Sequence, residues 1–117
     1  MSWRAAFVVL ALVACGRPAA PPGRPVRASI TRTGNTIVVR AIPGSGTQIN
    51  ALLPPLLEFP WGRTERLLSS RLTADLAYFL TPPEVTLPGD TPLAGALLRA
   101  SICDSGAAVC RVVTVPL

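Results

Sequence analysis

From residue 26 onward, apolar and polar positions change places at every second residue. Val26, Ala28 and Ile30 alternate with Arg27, Ser29 and Thr31. After "TGN" at 33–35 comes TIVVRAI (36–42), dense in β-branched side chains. A period of two sends successive side chains to opposite faces of an extended chain, and β-branched residues fit that geometry. The two segments predict a hairpin of strands over 26–32 and 36–42. The run PGSG (43–46) breaks the second strand. In TQINALLPPLLEF (47–59), Pro54-Pro55 excludes a helix interior and predicts a loop leading into an edge strand.

The next stretch supports two patterns. In RTERLLSSRLTADLAYFL (63–80), Leu68, Leu72, Leu76 and Leu80 recur every four residues, a helical stripe with Thr64 as its cap. Ala74, Leu76, Tyr78 and Leu80 also alternate with Asp75, Ala77 and Phe79, as a strand requires. The favoured reading is a loop or helical turn over 63–70 and a strand over 72–80. Residues 81–92, TPPEVTLPGDTP, read as a proline-spaced loop. The segments 93–103 and 109–117 close the chain as a second hairpin. Six or seven short strands with proline-rich connections over about 90 residues predict an all-β sandwich.

The chain ahead of residue 26 has a different character. MSWRAAFVVLALVACGR places Arg4 before an apolar run from Ala5 to Ala14. Ten apolar residues are too few for a membrane span, which takes about 20. A positive start, a short apolar stretch and small residues before a cysteine are the layout of a secretory signal peptide over 1–14. Its end, Leu12-Val13-Ala14-Cys15, resembles the lipobox of bacterial lipoproteins, in which the cysteine is acylated and the peptide is cut before it. This implies that Cys15 anchors the mature chain in a lipid bilayer. Several acyl chains on one residue hold firmly, where a single chain holds only marginally. GRPAAPPGRP (16–25), with four prolines and two arginines, then reads as an extended tether. The segments are thus 1–14 signal peptide, 15–25 lipidated cysteine and tether, and 26–117 sandwich. Gly16 following Cys15, by resemblance to sorted lipoproteins, favours the outer membrane of a cell envelope, with the domain facing the periplasm.

Charge and composition narrow the chemistry. Net charge is +5 and all eleven basic residues are arginine, scattered along the chain. A nucleic-acid surface would cluster them and interleave aromatics, so no nucleic-acid partner is expected. The chain contains no histidine, which removes imidazole catalysis and imidazole-ligated metal. No G-x-S-x-G, phosphate-binding glycine loop or EF-hand spacing occurs, and the six carboxylates are spread apart, so no cofactor is implied.

Cys103 and Cys110, in ASICDSGAAVC (100–110), are the two cysteines left once Cys15 is lipidated. An exported protein is permitted disulfides. A two-residue turn at Gly106-Ala107 would set Cys103 opposite Cys110, within reach of a bond. Counted outward from that turn, 103/110 is a hydrogen-bonded pair, the more widely spaced kind, which predicts a strained and reducible bridge. A structural staple and an exchange-active pair both remain open. Metal is disfavoured, since structural zinc takes four ligands.

The strand LLRASIC, its short turn and C-RVVTVPL resemble the N-terminal periplasmic domain of the thiol:disulfide interchange protein DsbD family. GTQINALLPPLLEF (46–59) is similar to that family's Ile-Asn element, which is followed by prolines and a strand. The resemblance implies an immunoglobulin-like β-sandwich whose last hairpin carries a redox pair, here Cys103 and Cys110. It implies thioredoxin-like or other periplasmic oxidoreductases as partners. Asp104 and Arg111, with Arg99 further along the sheet, are then candidates for tuning a thiolate. Phe59 and Trp61 are candidates for a loop that shields the cysteines. The family's membrane-embedded domains have no counterpart in the sequence, so the reductant would act in trans. The rival expectation is a non-enzymatic envelope lipoprotein with the same fold and a structural disulfide.

Overall fold

A computed structural model describes residues 24–106 and 109–117. The expected signal peptide, Cys15 and all but the last two residues of the tether lie outside the described residues. So does Ala107 of the expected turn. The described chain forms eight strands: β1 Val26–Thr33, β2 Thr36–Pro43, β3 Thr47–Ile49, β4 Leu56–Glu58, β5 Thr64–Arg66, β6 Glu84–Pro88, β7 Leu97–Asp104 and β8 Cys110–Pro116. All named pairings are antiparallel.

One sheet has the order β1-β2-β6. In the other, β7 is central: β8 lies along one edge, and β3 and β4 follow each other along the opposite edge, with β5 outside β4. Two antiparallel sheets divided this way make an immunoglobulin-like β-sandwich. Alternation in β2 buries Ile37, Val39 and Ala41. They meet Leu87 of β6, and Ile49, Leu57, Leu98, Ala100 and Ile102 of the second sheet, in one core.

Prolines lead into strands here without leaving the backbone unsatisfied. Pro55 and Pro83 are buried and have no N–H to pair, yet their carbonyls accept from Leu67 N (2.9 Å) and Ala41 N (3.0 Å).

The structure corrects several local expectations. Residues 63–80 hold neither the helical stripe nor the long strand. Thr64–Arg66 is strand β5, although a loop or helical turn was expected there. Residues 72–80 form a tight loop with single bridges Leu72↔Phe79 and Asn50↔Tyr78. Leu68, Leu76 and Leu80 are exposed, so the four-residue spacing marks no buried stripe. Within the expected loop 81–92, Glu84–Pro88 is β6, because Val85 and Leu87 complete the inner face beside β2. The strand after the double proline is not an edge strand, since β4 pairs with both β5 and β7. In 93–103 the strand starts only at Leu97, after Gly95 turns at a φ of 78°.

Candidate functional site

Cys103 and Cys110 are directly opposed across β7 and β8 and joined by a disulfide, with Cα atoms 4.0 Å apart. The register matches the sequence expectation, but its hydrogen-bond phase is the reverse. Asp104 N donates to Val109 O (3.1 Å), so 104/109 is the hydrogen-bonded pair and 103/110 is not. The backbone polar groups of the odd-numbered β7 residues turn instead to β3: Ser105 N donates to Gly46 O (2.8 Å), and Asn50 N to Ser101 O (3.0 Å). Cys103 and Cys110 thus occupy the closely spaced position in the ladder. The expectation of a strained bridge was built on the wide position and loses that basis.

The two sulfurs meet different surroundings. Cys103 is on the central strand and is 0% exposed. Cys110, on edge strand β8, is exposed. Alternation along β7 sends Leu98, Ala100 and Ile102 into the core, so Cys103 lies on the outer face of the sheet. Register sets Gln48 beside Cys103 in one row, and Tyr78, Asn50, Ser101 and Val112 in the next. Asn50 Nδ2 donates to Ser101 Oγ (3.3 Å), while its Oδ1 accepts from Leu52 N (2.9 Å) and Leu53 N (3.3 Å). The Ile49-Asn50 element of the sequence therefore fastens the 50–53 loop beside the cysteine row.

The other candidates are not gathered at the disulfide. Asp104 and Arg111 share the face opposite Cys103 and Cys110, because each is one residue removed along its strand. They pair with each other, Nη1 to Oδ1 at 3.3 Å, with both side chains about half exposed. Thiolate tuning by these two is accordingly corrected to a surface ion pair. Arg99 is on the cysteine face but pairs with Glu58 at 3.4 Å, four residues away from Cys103. Phe59 and Trp61 belong to the β4–β5 turn, beside the Leu97 end of β7. Six residues of strand separate that end from Cys103, about 20 Å. Their rings stack with centroids 4.7 Å apart. They cannot shield the cysteines, and that expectation is withdrawn.

Sequence reasoning missed Gln48, Tyr78 and Ser101 as neighbours of the pair. Alternation within β7 could have placed Ser101 on the face of Cys103. Gln48 and Tyr78 arrive there only through pairing across the sheet. Among the described residues, no group of three His, Cys, Asp or Glu side chains converges as a metal site would require. No family model matches the chain, nor does any curated protein or solved structure.

Proposed function

We propose that the protein is a lipid-tethered thiol-disulfide exchange domain of the cell envelope, working through Cys103 and Cys110. The observation that carries the reading is the asymmetry of the pair, one sulfur residue exposed on an edge strand and the other wholly buried beside it. A partner thiolate attacks Sγ of Cys110, forming an intermolecular disulfide and breaking the bond to Cys103. Cys103 leaves as a thiolate and takes a proton. The partner's second thiol then attacks the mixed disulfide and releases Cys110 as the second thiol. Two electrons and two protons have entered the domain, and the partner dithiol has become a disulfide. Run backwards on a second partner, the same steps pass them on.

The bridge also suits exchange better than stapling. It closes a loop of a few residues between strands already paired, worth roughly 2–3 kcal/mol in the chain-entropy account. The resemblance to the DsbD N-terminal domain, with its cysteines in the last hairpin of the sandwich, points the same way. The lipobox-like Leu12-Val13-Ala14-Cys15 supports the envelope location.

Trapping tests the reading. The Cys103→Ser variant, which keeps the exposed thiol, accumulates a mixed disulfide with an oxidised thioredoxin-fold partner, and Cys110→Ser does not. A reduction potential well below about −300 mV would instead mark a structural bridge and favour the non-enzymatic lipoprotein.

A further inference from the structure

The two flanks of the sandwich are closed differently. On one, Leu68 and Glu84 exchange backbone hydrogen bonds (3.0 and 2.9 Å), joining the chain after β5 to edge strand β6. On the other, β1 and β8 approach each other with no hydrogen bond between them among the described residues. An apolar groove of about 380 Å³ lies there, lined by residues 24–26 and 113–116. Register fixes where each backbone group of β8 points. The bond from Asp104 N to Val109 O makes Arg111, Val113 and Val115 the residues that bond to β7. The N–H and C=O of Cys110, Val112 and Thr114 point the other way and have no partner among the described residues. Edge strands are ordinarily guarded by charges, prolines, bulges or shortness. β8 runs unbroken for seven residues with its proline only at the end. Its one charge, Arg111, is already paired with Asp104. Val112 is 57% exposed, and Val109, just ahead of the strand, 60%.

From this edge we infer that β8 is an interface through which two copies of the chain pair, antiparallel about a two-fold axis at Val112. In that register Cys110 N donates to Thr114 O of the second copy, Val112 N to Val112 O, and Thr114 N to Cys110 O. Symmetry makes each bond twice. Val112 then faces Val112 of the second copy, and Val109 faces Val115, so both exposed valines meet valine across the joint. Centring the pair on Arg111 would oppose like charges, and centring it on Val113 would set Val112 against Thr114. Edge β1 suits a second copy less well. Its exposed Arg27 and Arg32 make no ion pair among the described residues, so self-pairing there gathers unneutralised charge. Side chains stand off the plane of the sheet, so pairing at the edge leaves Cys110 on the outer face. A joint of seven residues a side is smaller than the about 20–30 a side of a standard interface, which makes the dimer reversible with concentration.

Sedimentation equilibrium of the full chain in density-matched detergent tests the pairing. The mass rises from one chain toward two as protein concentration increases. Val112→Lys and Val112→Glu each set like charges across the axis and hold the mass at one chain. An equimolar mixture of the two restores the dimer, which also shows that both variants fold. Ile30→Lys, at an exposed position of β1, leaves the association unchanged. Amide hydrogen exchange locates the joint: Val112 and Thr114 slow several-fold on concentration, and Ala28 and Ile30 do not. A mass of one chain at every concentration overturns the inference, as does a dimer that survives Val112→Lys or a mixture of the charged variants that stays monomeric. Protection of Val112 and Thr114 that persists undiminished on dilution assigns the edge to a segment of the same chain. Protection that appears only when cell extract is added assigns it to a different protein, and either result overturns self-pairing.

Discussion

Leu76 has a φ of 62°, in the left-handed region that a branched-chain residue enters at a cost of roughly 1–2 kcal/mol. Its side chain is 60% exposed, so little packing offsets that cost. Leu76→Asn, which tolerates the conformation, is expected to stabilise the protein by about 0.5–1 kcal/mol, read as a higher urea midpoint at unchanged slope. The same turn depresses the pKa of Asp75. Thr73 Oγ1 donates to Asp75 Oδ1 (2.6 Å) and Ala77 N donates to the same oxygen (3.1 Å), both favouring the carboxylate. A carboxyl lowered on folding stabilises the native state above its unfolded pKa, and that contribution is lost as pH falls through the folded value. The window is the acid range below about pH 4. Thr73→Val should move the Asp75 titration, followed by carboxyl-carbon NMR, back up toward an ordinary aspartate. No movement would show that the Thr73 bond does not hold the charge.

At the scale of elements, the central strand is held differently along its two edges. β8 runs the whole length of β7, whereas β3 and β4 share the opposite edge with the 50–55 loop between them. Asn50 fixes that interruption through its bonds to Ser101 and to the backbone of Leu52 and Leu53. Asn50→Ala removes one side chain from three bonds and should cost about 1–2 kcal/mol. It should also raise hydrogen exchange at Leu52 and Leu53, which a general loss of stability would not confine to these residues. At the far turn, Trp61→Ala should leave the rate of disulfide reduction by a small dithiol unchanged, since Trp61 is about 20 Å away along the sheet. A rate change there would restore the aromatic turn as a shield. The β3–β4 interruption was legible as a break at Pro54-Pro55. The strand beyond it was misjudged as an edge, because pairing on both sides of three residues leaves no mark on those residues. Residues 63–80 misled for a related reason: four leucines at helical spacing can equally be two single-bridge residues and two loop residues, three of the four exposed, and only burial distinguishes this from a helical stripe.

Over the whole molecule, stability is vested in the core between the sheets rather than in the bridge. Leu57→Ala, at a fully buried position facing that core, should cost about 2–5 kcal/mol. Reducing the disulfide should cost no more than roughly 2–3 kcal/mol and leave the far-ultraviolet spectrum that of a β protein. Unfolding on reduction would make the bridge a staple and defeat the exchange reading. The sequence by itself determined the all-β class, the first hairpin, the last hairpin with Cys103 opposite Cys110, and the two segments ahead of residue 26 as distinct in composition. Those properties are local: alternation, β-branching, proline placement and residue type act within a few positions of one another. Only the tertiary structure decided which edges of β7 are covered, which cysteine is buried, that Asp104 and Arg111 turn away from the bridge, and that Pro25 is fastened to Gly44 and Thr47. Each of these depends on contacts between strands far apart in sequence, whose register is set by the packing of the shared core.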